Sequence, residues 1–213
     1  MKIFARAACA ALVMSAQDRS VPVDNDQVKV LKVTQAGHIK TRPHKHDMNR
    51  VMIYLQPGTQ TIEYQGAKTA HLKWKAGEAL WSPKAGMHIA EITSDNPVTI
   101  VELELKNAGR KVTPPAMDPL KVSPKQYKVE LDNDQVRVMR SKIGPKGSVP
   151  MHEHRLNRVV VFLTDQDFRI TKSDGTVAMS KHKAGDVIWS TPVTHKEENL
   201  SDQPFEIMIV EIK

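Results

Sequence analysis

The chain has 213 residues, 40% of them apolar and 26% charged, with a formal net charge of +7 at pH 7. That length suits two compact domains of about 85–90 residues each, with a leader and a linker. Basic residues are scattered among acidic ones and aromatics make up only 5%, which excludes a stacking platform for bases and argues against nucleic acid as a partner.

In chain order, Lys2 and Arg6 precede a small-apolar run over 7–14, then Ser15-Ala16 and a polar stretch from Gln17. Charged, apolar and small residues in that order read as a secretory signal over residues 1–16, too short to span a bilayer. The mature protein is therefore expected to be secreted or periplasmic. The one cysteine, Cys9, would leave with the leader. No other stretch approaches membrane-span length.

Short segments rich in Val, Ile, Leu and Thr follow, and predict strands over 27–34, 50–55, 60–64, 79–82 and Val98–Leu105. Turn signals lie at Gln56-Pro57-Gly58, Ala76-Gly77 and Lys84-Ala85-Gly86. Residues 107–124 contain Pro114, Pro115, Pro119 and Pro124 and read as a stiff, extended linker without a folded element. Further strands are predicted over 135–140, 158–163, 168–171, 186–190 and 206–212, with a turn at Asp174-Gly175. Many short strands and no long 3.6-residue apolar period predict an all-β sandwich or barrel.

The second half repeats the first. Asp24-Asn25-Asp26-Gln27-Val28-Lys29-Val30 recurs as Asp132-Asn133-Asp134-Gln135-Val136-Arg137-Val138, an offset of 108 residues. Lys75-Ala76-Gly77-Glu78 and Trp81-Ser82 recur as Lys183-Ala184-Gly185-Asp186 and Trp189-Ser190. The period is that of a small domain, far longer than a solenoid unit. Two domains follow, over 21–106 and 125–213. Domains this small bury only about 60% of their unfolded surface, so the halves are expected to pack together; further oligomerisation is left open.

Six of the nine histidines share the register. His44-x-His46-x-x-Asn49-Arg50 recurs as His152-x-His154-x-x-Asn157-Arg158, and His88 corresponds to His195 after a one-residue deletion. Side chains two apart on a strand share a face, so each pair, joined by the third, offers three imidazoles to one cation and leaves positions open for water or substrate. His38, His71 and His182 lack counterparts and read as surface residues. Glu78 and Asp186 read as acceptors for local turn amides, Trp81 and Trp189 as core or barrel wall, Asn49 and Asn157 as turn caps.

Gly37-x5-Pro43-His44-x-His46 with Gly77-x5-Pro83-x-x-Gly86-x-His88, and Gly147-x4-His152-x-His154 with Gly185-x6-Pro192-x-x-His195-x3-Asn199, resemble the two motifs of the cupin superfamily. The chain is similar to a tandem-repeat bicupin. The resemblance implies a double-stranded β-helix, or jelly-roll, barrel in each copy with the histidines facing inward. It implies metal sites at His44, His46, His88 and at His152, His154, His195, for a divalent transition ion (iron, zinc, manganese or nickel). The pattern departs where the family usually places a ligating glutamate: here stand Arg50 and Arg158. An arginine is protonated and cannot ligate. Its charge at about 4 Å from a dication would oppose binding by roughly 8 kcal/mol at an effective dielectric of 20. Each arginine must turn aside, pair with a carboxylate or hold an anion, which makes both candidate ligand-binding residues for a small carboxylate.

Three functions stay open at this point: an exported metal-dependent enzyme, dioxygenase-like, acting on a small organic acid; a non-catalytic bicupin binding a small anion or a metal; and a structural barrel pair with vestigial histidines. No catalytic residue is assigned. The leader reading is checked by N-terminal sequencing of protein from its native host. Residues 1 to about 16 should be missing, and an intact Met1-Lys2 on cytoplasmic material would refute export.

Overall fold

The alternating apolar segments form strands because each must bury one face while satisfying its backbone laterally. A computed structural model describes residues 18–213; the leader and Cys9 lie outside the described residues. The first copy contributes β1 (Asp18–Asp24), β2 (Val28–Gln35), β3 (His44–His46), β4 (Arg50–Tyr54), β5 (Gly58–Tyr64), β6 (Ala70–Trp74), β7 (Glu78–Ser82), β8 (Ala85–Ile92) and β9 (Val98–Leu105). After α1 (Pro119–Val122), the second contributes β10 (Tyr127–Asp132), β11 (Val136–Ile143), β12 (Ser148–His154), β13 (Arg158–Phe162), β14 (Gln166–Lys172), β15 (Val177–His182), β16 (Val187–Ser190), β17 (Val193–Asn199) and β18 (Phe205–Ile212). Each copy makes a five-stranded and a four-stranded antiparallel sheet, in the orders β1-β2-β9-β4-β7 and β3-β8-β5-β6, then β10-β11-β18-β13-β16 and β12-β17-β14-β15. Adding nine to every label of the first copy gives the second. The fold is two tandem cupin-like jelly-roll barrels.

Three apolar clusters organise them. Tyr54, Trp74, Ile92, Val98 and Ile100 fill the first barrel. Met139, Phe162, Phe168, Phe205, Ile207 and Ile209 belong to the core of the second. A third cluster joins the copies: Val28, Val30, Val51, Ile53, Val101 and Leu103 meet Val136, Val138, Val159, Val161, Met208 and Val210. Trp81 and Trp189 pack against this shared core. The five-stranded sheets are thus buried on both faces. Along β4 and β13, Val51, Ile53, Val159 and Val161 point to the other copy, so alternation turns Arg50 and Arg158 into the barrel interiors.

The repeated polar motifs hold the copies together as well as shaping turns. Asn25 Oδ1 accepts from the amides of Gln27 (2.9 Å) and Val28 (3.0 Å), and Asn133 does the same for Gln135 and Val136 at equal distances. The turn then sends each glutamine across the interface: Asn157 Nδ2 donates to Gln27 Oε1 (2.9 Å) and Asn49 Nδ2 to Gln135 Oε1 (2.6 Å). Asn49 also accepts from the Lys84 amide (3.0 Å), the turn-capping role expected of it. Gly77 and Gly185, at φ +73° and +87°, close turns where a side chain would be strained. Their carbonyls receive Arg140 and Lys32 from the opposite copy. Glu78 and Asp186 accept from the amides of Lys75 and Lys183, each at 2.8 Å.

The linker departs from the extended reading. Residues 119–122 form a helical turn, with the Asp118 carboxylate accepting from Leu120 N at 3.0 Å. Proline density suggested an open chain, yet Pro119 opens the helix at a position where its missing N–H costs nothing and its fixed φ helps. Asp118 also pairs with Arg137 Nη1 at 2.7 Å, and Glu153 N donates to Met117 O at 2.8 Å. The linker is therefore bound to the second barrel.

Removing a half-buried amide hydrogen bond costs about 1 kcal/mol. Asn49→Ala and Asn157→Ala should each lower stability by about that amount and nearly additively, being at separate contacts. Chemical denaturation checks this, and unchanged midpoints would show that the glutamine–asparagine clasps contribute nothing.

Candidate metal centres

Strand register places the histidines. His44 lies directly opposite His88 on the β3–β8 pair, and His152 opposite His195 on β12–β17. His46 and His154 sit two residues on, facing the same way. In each triad one ligand nitrogen per ring lies within 4.8 Å of the others. Ring centroids are 4.4–5.2 Å apart in the first barrel and 4.5–5.7 Å in the second.

Local backbone fixes the tautomers. His44, His88 and His152 each turn Nδ1 onto the carbonyl two residues back, on Arg42 (2.8 Å), Gly86 (2.8 Å) and Pro150 (2.9 Å). A carbonyl only accepts, so Nδ1 carries the proton and Nε2 keeps its lone pair. His154 Nδ1 donates to Glu211 Oε1 at 2.9 Å, and His46 Nδ1 stands 3.5 Å from Glu102 Oε1. Such partners orient metal-binding imidazoles and raise their basicity. Burial pulls His46 down to about 3 and His195 down to about 2, and lowers His88, His152 and His154. Neutral imidazole is the ligating form. The buried His195 Nε2 has no hydrogen-bond partner, as a nitrogen reserved for a cation would not. The residues present fit a three-nitrogen metal site in each barrel.

The two arginines have different surroundings. Arg50 Nη1 donates to Glu102 Oε1 at 2.7 Å and Nη2 to Ser82 Oγ at 2.8 Å. Arg158, only 4% exposed, donates Nη1 to Thr191 O at 2.7 Å. Among the described residues no carboxylate lies within 4.0 Å of it. Burial lowers its pKa, opposed by attraction to Glu197 and Glu211. A buried charge without a direct ion pair costs several kcal/mol.

The second barrel also holds groups that the repeat conceals. The Tyr127 hydroxyl is 3.2 Å from His152 Nε2 and 3.5 Å from Glu197 Oε2, so its single proton faces two acceptors. Burial pushes Glu197 up to about 7, against the pull of Arg158 and the Tyr127 hydrogen bond. At the corresponding places the first copy has Arg19 and Ala90, so comparing copies gives no signal for Tyr127 or Glu197. Glu102 and Glu104 were detectable: strict alternation in Val98–Leu105 turns both inward, and with His46 they bring ligand atoms within 4.8 Å of one another. Glu211 is engaged by Arg137 Nη2 at 2.7 Å as well as by His154.

The centres also differ in cover. His152, His154 and His195 are 0%, 2% and 5% exposed, and α1 packs against β12; His44 and His46 are half-buried. His38 and His71 are exposed as expected, but His182 is not a free surface residue. It stacks on Phe162 with centroids 3.9 Å apart, because β15 lays it over the end of the barrel core. A groove of about 400 Å³ beside it, lined by Asp165, Gln166 and Asp186, contains none of the six triad histidines.

Neither a family model nor a curated protein sequence matches this chain. Its structural neighbours are cupin-fold proteins. AerE from Microcystis aeruginosa is 12% identical over 92% of this chain and 98% of its own, with a TM-score of 0.63. An oxalate decarboxylase is 11% identical over 87% and 69%, with a TM-score of 0.61. A tryptophan-to-tyrosine variant of the Bacillus subtilis oxalate decarboxylase is 10% identical over the same shares, with a TM-score of 0.60. At these identities the likeness is one of fold, a two-barrel cupin-like architecture; the two histidine triads are read from this chain's own residues.

Proposed function

We propose that each barrel binds one divalent transition-metal ion, through His44, His46, His88 and through His152, His154, His195, and that the protein uses these centres outside the cytoplasm to bind or transform a small organic acid. The carrying observation is that His44, His88, His152 and His154 each have Nδ1 engaged, which leaves Nε2 to ligate, that the ligand nitrogens of each triad lie within 4.8 Å of one another, and that His195 Nε2 is buried and unpaired. A cation on three neutral nitrogens keeps open positions and supplies Lewis acidity or, as iron, redox chemistry with dioxygen. Around it the chain's own groups bind and orient: Arg158 offers a buried positive charge, while Tyr127 and Glu197 offer a proton-carrying pair beside His152. An arginine fork matches a carboxylate in shape and charge, and oxalate decarboxylase, by its name, handles a small organic acid on the same fold. The dioxygenase-like form of this reading applies if the ion is iron.

Elemental analysis of gently purified protein, with titration of metal-free protein by cobalt(II) and iron(II), tests the reading. Two ions per chain are expected. His46→Ala and His154→Ala should each reduce the stoichiometry by about one, since the triads lie in separate barrels. Protein that takes up no metal would leave the triads as buried structural histidines. Oxygen uptake by the iron(II)-loaded protein over a panel of small organic acids then tests the oxidative form.

A further inference from the structure

The two barrels share a histidine triad and an inward arginine, but on the inward faces of their last strands the charge differs at one position. Arg50 pairs in register with Glu104, and Arg158 with Glu211. Two residues earlier on the same inward faces stand Glu102, opposite Met52, and Ile209, opposite Val160. Glu102 neutralises Arg50 at 2.7 Å. Ile209 is 2% exposed within the apolar core and supplies bulk without charge. The neighbouring acids of the second barrel are engaged elsewhere. Asp118 and Glu211 grip Arg137, each at 2.7 Å, and Glu211 also holds His154. Glu197 lies beyond 4.0 Å from Arg158. Arg158 pairs in register with Glu211, whose carboxylate holds His154 at 2.9 Å, which sets it beside the centre.

We infer that the second barrel alone is built to receive a small carboxylate anion on Arg158, and that the residue at the Glu102/Ile209 position decides which barrel does so. In the first barrel the protein's own Glu102 fills the role of that anion. In the second, the guanidinium is buried and held by one carbonyl with no carboxylate in ion-pair range, and the two oxygens of a carboxylate match its fork. Tyr127 adds a hydroxyl donor near His152 to fix the remainder of the ligand. The chain therefore has one ligand-receiving centre and one self-neutralised centre, despite its duplicated motifs. This rests on the metal-binding reading above for its spectroscopic readout but not for its metal-free one.

The experiment adds acetate, with chloride as the control, to the cobalt(II)-loaded full-length protein and follows the visible cobalt spectrum. In parallel it follows the melting temperature of the metal-free protein. Acetate should perturb one of the two cobalt ions per chain and should raise the melting temperature without metal, with chloride doing neither. Arg158→Met should weaken both responses by about tenfold or more, with Arg158→Lys intermediate. Glu102→Ile should recruit the second cobalt and double the spectral amplitude. Glu102→Gln, which keeps the side chain's shape, guards against misfolding and should act in the same direction. An acetate response that survives Arg158→Met, one shared by both barrels of the unaltered protein, or one equalled by chloride would overturn the inference. Failure to bind cobalt sinks the metal reading instead, and the melting-temperature arm then decides this one: no acetate shift there overturns it too.

Discussion

The packing of one five-stranded sheet against its duplicate is the constraint on which the rest of the structure depends. Each half would bury only about 60% of its unfolded surface and be marginal alone, and the shared valine-rich core adds burial to both. A strand buried on both faces has no freedom of register, because a slip of one residue would exchange its faces. With Val51, Ile53, Val159 and Val161 committed to the interface, Arg50 and Arg158 must enter the barrels. With Val101, Leu103, Met208 and Val210 committed likewise, Glu102, Glu104, Ile209 and Glu211 must enter too. The charged groups around both histidine centres are therefore placed by apolar contacts on the opposite side of the same strands.

The histidines depend on a second sheet and on shorter-range forces. Direct pairing across β3–β8 and β12–β17 brings the first and third ring of each triad together. The carbonyl two residues back orients the rings of His44, His88 and His152. These are backbone effects, so they survive divergence of the surrounding side chains. A carboxylate from the last strand lies beside His46 and His154, Glu102 at 3.5 Å in one copy and Glu211 at 2.9 Å in the other, from different register positions. The scaffold is duplicated faithfully while the chemistry inside it has separated.

That separation extends to the surroundings. Asp118 reaches from the linker to Arg137, and Arg137 reaches Glu211, which holds His154. The segment joining the barrels is thus tied by a chain of buried charges to one centre. Its helical turn packs on the strand that carries two of that centre's histidines. Removing one partner of such a buried network would leave an uncompensated charge, a strongly destabilising change.

The sequence by itself determined the duplication, the all-β class, the six triad histidines and the presence of an arginine where a ligating acid is usual. These are legible because register, period-two alternation and turn residues are local properties of the chain. It did not reveal that Asn49 and Asn157 reach across to Gln135 and Gln27, that the proline-rich linker folds onto the second barrel, or that His182 stacks on Phe162. Nor did it expose Tyr127 and Glu197, which have no counterparts in the first copy and come from strands far apart in the chain. Whether a buried arginine is neutralised or left open depends on which residue lies beside it across a sheet. Glu102 stands 52 residues from Arg50, and only the tertiary structure decides that they meet, while the second barrel has the uncharged Ile209 at the corresponding register position.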